Sequence, residues 1–223
     1  MANFADLLKK IANNSRLTPQ ELDELGRFGT EIQQRNSFVA GNTNPQNLLN
    51  ISFPFTPIYS EVLEVDIATK TIIIPSGYKH LFILGAGRIN GTGGQNTAAL
   101  FGRFNGDSGN NYTTSYLLQA SGVASATETI GTSRVVLGDL SADGAASGFD
   151  GAFMTYIPHY LSSYYKQSLM YGGTATATHT FLANRQGVWM NTDQIQSVTI
   201  LPDTTYPSAK IEKGTAFSIY GII

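Results

Sequence analysis

The sequence contains no cysteine. Disulfides and cysteine-based metal sites are therefore excluded, and the fold must hold by burial and strand pairing alone. Charge is scarce as well: Asp, Glu, Lys and Arg make up 13% of the chain, against about 25% in an ordinary soluble protein. No run of Lys or Arg occurs, and the net charge is −2. Nucleic-acid binding draws most of its affinity from a concentrated basic face, so nucleic acid is not an expected partner. Long apolar runs are missing too. Ile72–Ile74 and Leu81–Leu84 are among the longest, far short of the roughly 20 residues of a membrane-spanning helix, and no membrane partner is expected. Met1 to Ile11 mixes acid and base without a long apolar core. That does not read as a secretory signal, so synthesis in a cytoplasm is expected.

Several chemistries lack their motifs. No Gly-Lys-Ser or Gly-Lys-Thr follows the glycine clusters Gly85-Ala86-Gly87 and Gly91-Thr92-Gly93-Gly94, which read as turns. No Gly-x-Ser-x-Gly nucleophile elbow occurs. His80, His159 and His179 are far apart in the chain and show no metal-ligand spacing. Asn105 to Asn111 begins like a calcium loop, but Tyr116 stands where the twelfth-position carboxylate belongs. A hairpin or loop, fixed by Asp and Asn bonding their own backbone, fits better. Asp139, Asp143 and Asp150 fall in a small-residue stretch, Gly138 to Gly151, read as a loop. Nothing in their spacing forces a glycosidase pair. The expectation is a non-enzymatic protein with no cofactor and no metal.

What replaces charge is Gly, Ser, Thr and Asn, the composition of strands and tight turns. The exception is the front of the chain, where residues 1–35 hold a third of all charged residues. Phe4, Leu7, Leu8 and Ile11 recur at helical spacing. Thr18-Pro19-Gln20-Glu21 is a strong helix start, with a cap, a proline at the first helical position and a carboxylate that can reach back. Leu22, Leu25, Phe28 and Ile32 then share one stripe. An isolated helix of this length is marginal in water, so the stripe needs a partner: the chain's own body, further copies, or another protein. The polar run Gly41 to Asn47 favours a tethered helix over one folded back. The expected organisation is a helical anchor or oligomerisation segment over 1–40, a tether and entry strand over 41–60, and a β domain over 61–223.

In that domain short strands are expected at Val62–Ile67, Thr71–Ile74, Lys79–Leu84, Ala98–Phe104 and Tyr112–Leu118. More follow at Ser133–Leu137, Gly151–Ile157, Tyr164–Tyr171, Thr174–Leu182, Ile195–Leu201 and Ala216–Ile222. No helical pattern separates them, so the fold class is mainly β, an antiparallel sandwich of jelly-roll-like kind behind an N-terminal helical segment. Tyr156, Tyr160, Tyr164 and Tyr165 crowd one stretch. Aromatics with polar tips serve sheet edges and interfaces, and also sugar-stacking surfaces, which makes these four a possible surface-binding patch.

One set of segments resembles uncharacterised bacteriophage virion proteins. It runs through Phe101-Gly102-Arg103-Phe104-Asn105-Gly106-Asp107, Asn111-Tyr112, Ile157-Pro158-His159-Tyr160, Lys166, Trp189 to Ile195, Leu201-Pro202-Asp203 and Gly214 to Ile222. The resemblance covers roughly residues 60–223. It implies a jelly-roll-like module of a tail fibre, baseplate or capsid decoration, with no chemistry to carry over. Partners would be other virion proteins of capsid or tail, and possible host surface glycan. Together with the apolar stripe it implies a homotrimer, assembled in the host cytoplasm and located in the virion.

Overall fold

A computed structural model describes residues 55–120, 122–175 and 180–223, together with Thr18. The segments expected to anchor the chain (Phe4, Leu7, Leu8, Ile11, Leu22, Leu25, Phe28 and Ile32) lie outside the described residues. The described body is built of strands: β1 (Phe55–Val62), β2 (Lys70–Ile73), β3 (His80–Gly87), β4 (Ile89–Asn90) and β5 (Thr97–Phe104). Then come β6 (Tyr112–Ala120), β7 (Val123–Thr132), β8 (Val135–Ser141), β9 (Gly151–Ile157) and β10 (Lys166–Ala175). The chain closes with β11 (Thr180–Trp189), β12 (Ser197–Pro202), β13 (Lys210–Ile211) and β14 (Ala216–Ile222).

All named strand pairs are antiparallel. Eight strands form one wide sheet in the order β1-β14-β3-β9-β10-β11-β6-β7, and four form a smaller one, β2-β12-β5-β8. A short ladder of β13 with β4 stands apart. The two main sheets face each other as a β-sandwich. Alternation sets which side chains meet between them. Leu81, Ile83, Phe217 and Ile219 come from the wide sheet, and Leu100, Phe104, Val198 and Ile200 from the smaller one; all are buried. By pairing, β8 is the edge of its sheet, yet it runs across β9, β10 and β11 and is buried along its whole length.

Two glycines lie hard against Phe153. A methyl group added at Gly85 would strike its ring at Cε1 and Cζ, and one added at Gly138 at Cγ and Cδ1. Two strands can close on one aromatic ring only if both present no side chain there. Gly138→Ala is therefore expected to cost about 1–3 kcal/mol by overpacking, read as a lower urea midpoint with an unchanged slope. An unshifted midpoint would mean that the ring has room to move.

Four expectations need correction. The strand expected at Val62–Ile67 is displaced: β1 ends at Val62, and beyond it only Ile67 makes an isolated bridge, to Ile211. The entry strand uses the less regular run from Phe55, which pairs with β14 and carries a bulge between Pro57 and Tyr59. The alternating stretch Thr174–Leu182 is not one strand. It spans the ends of β10 and β11, which pair from Ala175↔Thr180 downward. Both arms of a hairpin can alternate in phase, so periodicity alone does not reveal the turn; residues 176–179, His179 included, lie outside the described residues. The stretch from Gly138 is not all loop, since β8 carries Asp139 into the interior. Finally β7, a strand of small and hydroxylated residues, was not among the expected strands, because its burial pattern does not alternate.

Candidate functional site

The tyrosines expected to form one patch are divided by the fold. Tyr160 is not on the surface: it is fully buried, and its hydroxyl donates to the Pro75 carbonyl at 2.6 Å. Tyr156 is half-buried on the outer face of β9, with its hydroxyl 3.0 Å from His80 Nδ1. Tyr164 and Tyr165 are exposed, at 77% and 58%, on the connection from β9 to β10. Only these last two remain a candidate stacking surface.

His80 and His159 are remote in sequence but adjacent in space, their rings 4.7 Å apart and edge to face. The His159 backbone N–H donates to His80 Nδ1 at 3.2 Å. An acceptor there must be unprotonated. Burial, helped by His159 and Lys79, also pushes the His80 pKa below its ordinary value. His80 is thus a neutral acceptor that fixes the turn at His159, a residue with positive φ. No cluster of three or more His, Cys, Asp or Glu suited to a metal ion occurs among the described residues.

The carboxylates around β8 have separate partners. Asp143 accepts from the backbone N–H groups of Gly91 (3.1 Å) and Thr92 (2.7 Å). The connection after β8 is clamped by Arg88, whose guanidinium donates to the carbonyls of Ala142, Ala145, Ala146 and Phe149. Asp139 makes a bidentate pair with Arg185, Nε to Oδ2 at 2.9 Å and Nη2 to Oδ1 at 2.7 Å.

Arg185, but not Asp139, lines a cleft of about 380 Å³. The smaller sheet ends at β8, which runs across β9, β10 and β11, while the wide sheet continues beyond it through β6 and β7. Arg185 lies over the Tyr116 ring at 4.9 Å, and Arg134 over the Phe101 ring at 4.2 Å. Thr114, Thr129, Thr132 and Ser133 are among the lining residues, the Thr132 hydroxyl donating to the Arg134 carbonyl at 2.9 Å. Arg103 reaches the same corner, donating from Nε to the Ser133 carbonyl at 3.1 Å. Sequence reading missed this site. Its arginines are far apart in the sequence, Arg103 on β5, Arg134 in the connection from β7 to β8 and Arg185 on β11, and only the pairing of β11 with β6 and of β5 with β8 brings them together.

Some of the residues that carry the resemblance, Phe104, Asn105, Asp107, Tyr112, Lys166 and Trp189, lie together. Asn105, at positive φ, accepts through Oδ1 from the N–H groups of Gln196 (2.7 Å) and Ser197 (3.1 Å) and donates through Nδ2 to the Gln194 carbonyl at 2.8 Å. Asp107 accepts from Trp189 Nε1 at 2.7 Å, from the Gly109 N–H at 2.8 Å and from Asn111 Nδ2. The loop is thus fixed by its own Asp and Asn, as the sequence suggested. Burial works to raise the Asp107 pKa, but the bonds from Trp189, Asn111 and Gly109 outweigh it and hold the carboxyl below its ordinary value. A depressed folded-state pKa contributes stability above the unfolded value, near 4, and loses it as pH falls through the folded value. Melting temperature is expected to drop on acidification below about pH 4. Asp107→Asn should flatten part of that drop while lowering stability at neutral pH; parallel acid limbs would contradict this.

No protein-family model matches the chain. No curated protein matches it either. Among solved structures, it is similar to a monomeric photosensitizing fluorescent protein, Supernova, at 10% identity over 52% of this chain with a TM-score of 0.22. The chain spans 59% of that protein's length. A second likeness is to a glycosyl hydrolase family 16 protein from Mycobacterium smegmatis, at 4% identity over 68% of this chain and 67% of that one, with a TM-score of 0.16. At such TM-scores neither likeness bears on the fold or chemistry of this chain.

Proposed function

We propose that this chain is a non-enzymatic structural protein of a bacteriophage particle, held to capsid or tail by residues 1–40 and displaying a jelly-roll-like body in oligomeric form. The observation that carries the reading is the use of the resembling segments. Phe104, Asn105, Asp107, Tyr112, Lys166 and Trp189 are consumed in one clamp. Their side chains are engaged with one another and with the backbone, which supports a module-building role. The outer face of the wide sheet adds support. Met154, Tyr171, Leu117 and Leu182 stand exposed on it, and apolar faces of this kind serve assembly between proteins.

Deleting residues 1–40 is expected to leave a folded body that no longer enters particles. The measurement is immunodetection in purified virions, with circular dichroism of the truncated protein. Normal incorporation of the truncated chain, or absence of the intact chain from virions, would overturn the reading.

A second reading is a glycan-recognising tail-fibre tip, favoured by the exposed pair Tyr164 and Tyr165. It requires that purified protein block adsorption to host cells, and that Tyr164→Ala with Tyr165→Ala relieve the block.

A further inference from the structure

We infer that the cleft between the sheets binds a sugar acid: a saccharide ring bearing a carboxylate, of the uronic-acid class. The argument starts from Arg134. Its side chain is 23% exposed, and its guanidinium donates no hydrogen bond to any acceptor among the described residues. The nearest carboxylate oxygen, on Asp203, is 4.0 Å away, too far for a hydrogen bond. Arg134 lines the cleft, so its N–H groups are free to meet an acceptor placed there. Arg185 differs. Asp139 occupies two of its donors bidentately and fixes its plane, while the remaining N–H groups belong to a residue that lines the same cavity. Three guanidiniums, from Arg103, Arg134 and Arg185, share this corner with two carboxylates, Asp139 and Asp203. One positive charge is left over, in a chain whose net charge is −2.

The rest of the lining sets the class of anion. A volume of about 380 Å³ exceeds what a lone carboxylate or phosphate needs and suits a small organic ligand. Thr114, Thr129 and Ser133 line the cleft, and a hydroxyl can both donate and accept, as ring hydroxyls require. Arg134 and Arg185 are held over Phe101 and Tyr116, and a guanidinium fork matches a planar carboxylate through paired N–H bonds. The inference stands apart from the virion reading, since a sandwich could hold this ligand in any location.

The test is calorimetric titration of the full chain with glucuronate, glucose and inorganic phosphate at low salt. Glucuronate is expected to saturate one site. Glucose should bind at least about tenfold more weakly, because a charged hydrogen bond contributes about 1.5–3 kcal/mol. Phosphate should also bind more weakly than glucuronate. Arg134→Gln should weaken glucuronate about tenfold or more, and Arg134→Lys should recover part of the loss. Thr129→Val, on the exposed edge strand, keeps the fold intact whatever happens to the arginine variants, and should weaken binding severalfold. Tyr164→Ala should change nothing. The inference is overturned by no saturable glucuronate binding, by equal binding of glucose, or by wild-type affinity in folded Arg134→Gln and Thr129→Val. Phosphate binding without glucuronate binding would leave an oxyanion pocket and remove the sugar. None of these results touches incorporation into particles, so failure here is distinct from failure of the virion reading.

Discussion

Arg185→Met alone is expected to destabilise the protein by about 3–5 kcal/mol, while Arg185→Met combined with Asp139→Leu returns it to wild-type stability or above. The contrast follows from where the pair sits. Asp139 is 2% exposed and Arg185 9%. Removing the guanidinium strands a carboxylate between two sheets, with neither water nor a counter-charge. Removing both charges strands nothing, and apolar side chains of similar length would join Val136, Met170 and Ala183, which already cluster there. The direction of the Asp139 pKa supports the second half of the expectation. Burial pushes this carboxyl up, Arg185 pulls it down, and burial wins. The net cost of ionising Asp139 in the fold thus exceeds the return from its partner. By sign, a raised carboxyl favours the folded state below the unfolded value and loses that advantage as pH rises through the folded one. Relative to wild type, the double variant should therefore gain most above about pH 4. Urea unfolding of the two single variants and the double one, across pH, checks all of this. A single-variant loss under about 1 kcal/mol would mean that water reaches the pair from the cleft. The same double variant should abolish binding of the sugar acid, which separates the pair's role in the cleft from its role in the fold.

Much of the β architecture is legible in the sequence, for a physical reason. Gly151–Ile157 and Ala216–Ile222 are central strands of the wide sheet. Their inner positions are buried and their outer ones are not, so alternation is written plainly. Where that contrast fades, legibility fades with it. Most of β7 is exposed on both faces, and nothing in Val123–Thr132 selects one side. In β8 both faces are buried; Val135–Leu137 still reads as a strand, but Gly138 opens a small-residue run in which its acid, Asp139, looks like a loop residue. The site was less legible than the fold. Tyr160 has the sequence context of Tyr164 and Tyr165, yet the turn after β9 sends it inward to Pro75. His80 and His159 are 79 residues apart, and no spacing rule joins them. The arginine cleft depends on the width of one sheet exceeding the other, a property of strand order that no local pattern encodes.

Trp189→Ala is the other substitution expected to act strongly, at about 3–5 kcal/mol, or roughly 6–20 °C in melting temperature for a domain of this size. Trp189 is the protein's one tryptophan and is 1% exposed. Its ring stacks on Tyr112 at 6.3 Å and meets Phe104 edge-on at 5.6 Å. Its N–H satisfies Asp107. Beside it the Lys166 ammonium, 6.0 Å from the ring, is buried with the aromatics and donates to the Tyr164 carbonyl at 2.6 Å and the Thr192 carbonyl at 3.4 Å. Burial pushes the Lys166 pKa below its ordinary value. One indole thus fills volume, pairs a carboxylate and shields a cation that ties two loops together. Losing it removes all three, which is why a cost at the upper end of the range is expected. Trp189→Phe keeps most of the volume and drops only the donor, so it should cost less, on the order of 1–3 kcal/mol for the unpaired carboxylate. Melts by far-UV circular dichroism compare the three proteins without relying on the indole. If Trp189→Ala melted within about 2 °C of wild type, well below the expected range, the clamp would not be what stabilises the sandwich. The resembling segments would then need a purpose other than structure, and the case for a chemically quiet display module would lose its main support.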